Sequence, residues 1–173
     1  MKIKSIIILL YFVSNINSQT INNKYFICAE LKYTHQKYNG IELGVGISKY
    51  IYNFNETTEI GIYPSCEYKF IKNKSIFAPK FGLGMEQYYP KLKGFGYNLK
   101  FSGAIYEPTK TKDFRLLPEI GINYLGIINL NYSYSIPLNT KTVSEIGNHL
   151  ITVSFIWNFE RNFLNFTDVF GFW

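Results

Sequence analysis

Few residues of this chain have the types and spacing to do chemistry. His35 and His149 are its only histidines, and Cys28 and Cys66 its only cysteines. A hydrolase needs a nucleophile, a base and an acid, and Ser154, His149 and Glu145 supply those types in one short stretch. Their spacing matches no nucleophile motif, and both histidines fall at strand ends or loops, where they read as surface residues. Glu86 and Glu119 are a carboxylate pair of the sort used in glycoside hydrolysis; they also belong to a larger set of alternating acids and bases in which ion pairing is the simpler role. Two histidines and two cysteines are too few for a zinc ribbon. Gly94-Phe95-Gly96 lacks the strand-to-helix setting of a phosphate loop. No catalytic, cofactor-binding or metal-ligating residue is assigned, and no cofactor is expected.

The elements that position these residues alternate with period two. Residues 25–34 set Tyr25, Ile27, Ala29, Leu31 and Tyr33 against Glu30, Lys32 and Thr34. The same pattern returns in 41–52, 58–70, 76–89, 95–106, 114–124, 127–137 and 149–159, as in Leu83 and Met85 against Gly84 and Glu86. Segments of about ten residues with this period are strands. Between them lie turn formers: Tyr38-Asn39-Gly40, Asn53-Phe54-Asn55, Lys72 to Ser75, Pro90 to Gly94, Pro108 to Asp113, Leu125-Gly126 and Leu138 to Asn148. No helical period separates the strands, so a βαβ sheet is excluded in favour of an antiparallel meander.

Composition narrows the class further. The chain has 173 residues. It is 47% hydrophobic, 18% aromatic and 17% charged. Such a chain is too apolar for disorder. Its apolar runs fall short of the ~18 residues of a membrane helix, and its length fits one domain. At the N-terminus, Lys2 and Lys4 precede an apolar run from Ile6 to Val13 and a polar stretch from Ser14 to Ser18. This is the form of a secretory signal peptide over 1–18, cut after Ser18. Its removal takes away two lysines and lowers the net charge from +6 to +4. Many of the remaining basic residues sit in turns rather than on one stripe, so no nucleic-acid partner is expected.

Which face is buried decides between a soluble and a membrane barrel. A soluble lipocalin-like barrel turns its apolar face inward, whereas a membrane barrel turns it to lipid and keeps a polar lumen. Strands of about ten residues match a tilted crossing of the hydrocarbon layer, and Tyr, Phe and Trp gather near the strand ends as in interfacial girdles. The polar faces carry both signs of charge among many glycines, as a narrow lumen requires. The expected fold is all-β: an eight-stranded antiparallel up-and-down transmembrane β-barrel, a meander behind an N-terminal signal peptide. Its expected lumen network is Glu30, Lys32, Glu42, Glu59, Glu67, Lys69, Lys80, Glu86, Lys100, Arg115 and Glu119. Cys28 falls on the inner face of the first strand and Cys66 on the outer face of the third, so both are expected to be free thiols. Pro64, Pro79 and Pro118 lie inside strands and predict bulges or rim positions, because proline removes a ladder donor.

On these residues the chain resembles the small eight-stranded outer-membrane β-barrel proteins of the diderm cell envelope, over about residues 20–159. The resemblance rests on the signal peptide, the alternating strands, three similar proline-bearing strands and the last strand, Ile151-Val153-Phe155-Trp157-Phe159. That strand looks like the terminal signal read by the barrel-insertion machinery. The implied location is the outer membrane, with outer-membrane lipid and that machinery as partners. Residues 1–18 form the signal peptide, 19–159 the barrel and 160–173 an aromatic tail. The tail departs from the family pattern, in which the signal ends the chain; Phe163, Phe166, Phe170 and Trp173 suit an amphipathic interfacial helix and a disordered or strand-like tail equally. The expected role is structural or surface-interacting. A narrow pore for small solutes, a lipid-modifying hydrolase and a soluble carrier are the alternatives.

Overall fold

The computed structural model describes residues 20–53, 56–71, 74–89, 94–107, 112–140 and 142–158. The expected signal peptide 1–18 and tail 160–173 lie outside the described residues. Nine strand segments follow in order: β1 (Thr20–His35), β2 (Asn39–Asn53), β3 (Glu56–Ile71), β4 (Lys74–Tyr88), β5 (Phe95–Tyr106), β6 (Asp113–Tyr124), β7 (Ile128–Tyr134), β8 (Ile136–Pro137) and β9 (His149–Asn158). β8 continues β7 past Ser135 and keeps its register on β6, so the two make one crossing. The eight crossings pair antiparallel with their sequence neighbours, and β9 closes onto β1. Among the described residues there is no helix. The protein is a closed eight-stranded antiparallel β-barrel.

Its stagger follows from the register. Partners run from His35 through Ile151, Tyr132, Ile120, Leu99, Met85, Ile60 and Lys49, and return to β1 at Tyr25, ten residues before the start. With a spacing of ~4.8 Å between strands and a rise of ~3.3 Å per residue, this stagger gives a tilt of about 40° and a radius of roughly 8 Å. A lumen that narrow is filled by side chains rather than open.

The three strand prolines produce no bulges, contrary to expectation. Each faces outward in mid-strand, where the ladder to one flanking strand is interrupted. Pro64 lies in the gap between Gly44↔Ser65 and Ile47↔Ile62. Pro79 lies just beyond Lys80↔Ala104, where the β4–β5 ladder stops, and Pro118 between Leu116↔Ile136 and Glu119↔Ser133. A residue in an antiparallel sheet offers its N–H to only one flank, so proline interrupts one ladder and leaves the other intact. Pro118 thereby accounts for the break between β7 and β8. The one register shift falls in β1, between Ile21 and Tyr25.

Of the connections, the first differs from expectation, whereas the Leu125-Gly126 turn stands where expected. Asn39 and Gly40 pair with His35 and Thr34, so the first turn is Gln36 to Tyr38 and not Tyr38-Asn39-Gly40. At the opposite end, Leu125 and Gly126 both take positive φ, the mirror-image turn that suits strand twist. Such a φ is uncommon for leucine. Leu125 adopts it with its side chain packed on Gly94, where an added Cβ would collide with Leu125 Cδ2.

Candidate functional site

The side chains sort by parity. Among the described residues 25 polar or charged side chains are buried, against 15 hydrophobic ones, the reverse of a water-soluble core. The outer wall carries Ile27, Leu31, Leu43, Leu83, Ile122 and Val153 at 46–62% exposure. Aromatic residues gather towards both ends of this wall, with Tyr33, Tyr68 and Phe77 at one and Tyr25, Phe95 and Tyr124 at the other.

Inside the barrel, four lysines and four glutamates join in one alternating chain. Lys69 contacts Glu67 at 2.7 Å, and Lys80 bridges Glu67 at 2.9 Å and Glu42 at 2.6 Å. Lys32 joins Glu42 at 2.9 Å to Glu30 at 2.8 Å, and Lys100 joins Glu30 at 2.9 Å to Glu86 at 3.0 Å. The register explains the need for this order. Glu42 and Glu67 are direct cross-strand partners, a repulsive pairing by itself; the Lys80 ammonium, reaching from β4, neutralises both. Three of the four carboxylates also accept hydrogen bonds from uncharged donors. Tyr106 Oη donates to Glu67 at 3.1 Å, Ser65 Oγ to Glu42 at 2.8 Å and Asn129 Nδ2 to Glu86 at 3.2 Å, while Thr34 and Tyr88 donate to Glu67 and Glu86 respectively. Lys100 also stands 4.4 Å from the centre of the Tyr63 ring, a cation–π distance.

The other three expected lumen residues make none of these seven contacts, although Glu59 and Glu119 stand directly across the ladder from Glu86 and Lys100. Glu59 is buried and receives a 3.4 Å hydrogen bond from Tyr88 Oη. Glu119 is less buried and accepts from Ser133 Oγ at 2.9 Å. Arg115 pairs with Asp113, donating from Nε at 3.0 Å and from Nη2 at 2.8 Å. Turn chemistry places Asp113 only at the end of a loop; its position two residues before Arg115, on the same face of a strand, is the signal that marks it as a partner.

Arg115 and Asp113 also hold a plug. Within the connection 138–148, expected as an external loop, residues 142–148 turn back over the mouth of the barrel. Val143 N donates to Asp113 Oδ2 at 2.8 Å, and Arg115 donates to the carbonyls of Val143 and Gly147 at 3.4 and 3.2 Å. Gln36 donates to Gly147 O from the far wall. Val143 and Ile146 are thereby buried among Ile76, Ala78, Ala104, Tyr106 and Leu117. This apolar cap covers the end of the lumen where Lys69 begins the ionic chain. Its wall residues are inward-facing apolar positions that alternation alone assigns to a polar face.

The remaining candidates do not converge. His149 lies outside, with Tyr132 Oη 2.6 Å from its Nδ1, whereas Ser154 is buried inside and Glu145 is hydrogen-bonded to Ser144. Cys28 is buried in the lumen and Cys66 is exposed on the outer wall; both are free. Among the described residues no group of three or more His, Cys, Asp or Glu side chains could hold a metal ion. Fold and lumen thus define a class: a closed antiparallel barrel with an apolar wall and an ion-paired, capped interior. No protein-family model and no curated protein matches the sequence.

Proposed function

We propose that this protein is an outer-membrane β-barrel with a structural or surface-interacting role, its lumen filled by ion-paired side chains. The observation that carries this reading is the outward exposure of an all-round apolar wall around a charged interior. A continuous apolar surface of that extent is untenable in water and is matched by lipid. The signal-like residues 1–18 support export, and the strand-end aromatics support interfacial anchoring. The short Leu125–Gly126 turn fits the periplasmic end, and the capped mouth fits the outer surface. Ile151, Val153, Phe155 and Trp157 on β9 offer the pattern read by the insertion machinery. The ionic chain and the Val143–Ile146 cap favour a filled lumen over a solute channel. A soluble carrier would instead need an apolar cavity.

Fractionation combined with a heat-modifiability gel tests the reading. The protein is expected in the outer-membrane fraction, migrating differently before and after boiling. Recovery in a soluble fraction, with no shift on boiling, refutes it.

A further inference from the structure

The outer wall is uncharged almost everywhere. Among the strand residues whose side chains the structure describes, Lys49 on β2 is the one charged residue with outward parity. Its ammonium lies 4.9 Å from the centre of the Tyr25 ring, near the end of the barrel that bears the Leu125–Gly126 turn. From Lys49 a groove of about 710 Å³ runs across β3, β4 and β5. Ile60, Met85 and Leu99 line it in one row and Ile62, Leu83 and Phe101 in the next, with Gly61 and Gly84 between them. A second groove, about 640 Å³, adjoins the first at Leu99 and continues past Ile122 and Leu130 on β6 and β7, but its lining includes no charged residue.

We propose that the first groove and Lys49 form a binding site for one glycerophospholipid with an anionic headgroup. The phosphate sits on the Lys49 ammonium and an acyl chain lies along the rows of Ile60 and Ile62. The charge selects this occupant. A lysine on a lipid-facing wall lowers its cost by extending to the interface, where phosphate is its complement. The apolar trough leading away from it suits a hydrocarbon chain. The aromatic ring of Tyr25 restrains the ammonium at the head of the trough. The site rests on the membrane reading above and names a partner for the wall.

The test inserts the protein into bilayer nanodiscs of equal phosphatidylglycerol and phosphatidylcholine. Native mass spectrometry then measures which lipid is retained on release. Wild type is expected to retain one phosphatidylglycerol with about fivefold preference, the effect of one lysine near an anionic surface. Lys49→Gln abolishes the preference and Lys49→Arg keeps it. Met85→Trp fills the trough without touching the charge, and lowers retention of the lipid. Equal preference in wild type and Lys49→Gln, with both inserted, overturns the site and leaves the membrane reading standing. Full retention in Met85→Trp overturns the groove's part in it. If wild type fails to enter the bilayer, the membrane reading falls and the site falls with it.

Discussion

Replacing Lys80 is the sharpest probe of the lumen. Its ammonium alone bridges Glu42 and Glu67, which face each other across β2 and β3. Lys80→Met keeps most of the side chain's volume and removes the charge. Two buried carboxylates then confront one another; Lys32 still serves Glu42 and Lys69 still serves Glu67. Removing one partner of a buried ion pair costs about 3–5 kcal/mol, and the two remaining lysines place this case near the lower bound. With a urea dependence of ~2 kcal/mol per molar, the unfolding midpoint falls by about 1.5 M. The measurement is reversible urea unfolding in lipid vesicles, followed by tryptophan emission and the gel shift. Adding Glu42→Gln in the same chain removes one of the opposed charges, and is expected to recover at least about 1 kcal/mol of the loss. If Lys80→Met unfolds like wild type, or Glu42→Gln adds its own full cost to it, then Lys80 does not neutralise this pair and the chain of alternating charges is not a functional unit.

Further predictions concern the cap, the wall and the thiols. Arg115→Met leaves Asp113 buried without its cation; amide hydrogen exchange at Val143 and Ile146 should rise at least tenfold, while exchange in β3 stays unchanged. In Gly96→Ala the new Cβ would collide with Gln87 O, a backbone atom. The β4–β5 ladder must shift, and unfolding measured as above should cost about 2–3 kcal/mol. With the protein folded in a bilayer, a maleimide should label neither thiol, Cys66 because lipid keeps it in the unreactive protonated form and Cys28 because it is buried, and both after unfolding. Rapid labelling of Cys66 in the folded protein would place that wall in water. Mass measurement without reductant should find both thiols free. In planar bilayers the folded protein should pass no current above the bare membrane, and a steady conductance would show that the cap and ionic chain do not fill the lumen.

Much of this barrel is legible in the sequence because strand parity needs no knowledge of distant contacts. Glu30 and Lys32 lie on the opposite face from Leu31 wherever β1 sits in the sheet, and repetition over eight segments leaves only one closed arrangement for a meander. Partnership is less legible. Whether Lys80 meets Glu42, Glu67 or Glu86 depends on the ten-residue stagger, which no local pattern encodes. The prolines mislead because a rule about lost donors speaks of whole strands, when each residue serves one flank only. Asp113 and the 138–148 segment are hidden for another reason. Val143 and Ile146 follow no period, and a loop that packs inside a barrel looks in sequence like one that hangs outside.

An ion-paired lumen has a consequence for where activity can reside. In a barrel of roughly 8 Å radius, the run from Lys69 to Glu86 crosses the interior through seven contacts of 3.0 Å or less. Every lysine in that run is held by a carboxylate contributed by another strand or by its neighbour on the same face. Opening a conduit would separate several buried pairs at once, each at a cost of a few kcal/mol, and would also displace Val143 and Ile146 from their apolar seat. Such a filling suits a rigid wall better than a gate. The proposed surface role would then fall to the rims and to the outer surface, where Lys49 stands as the one charge on an otherwise apolar face among the described strand side chains.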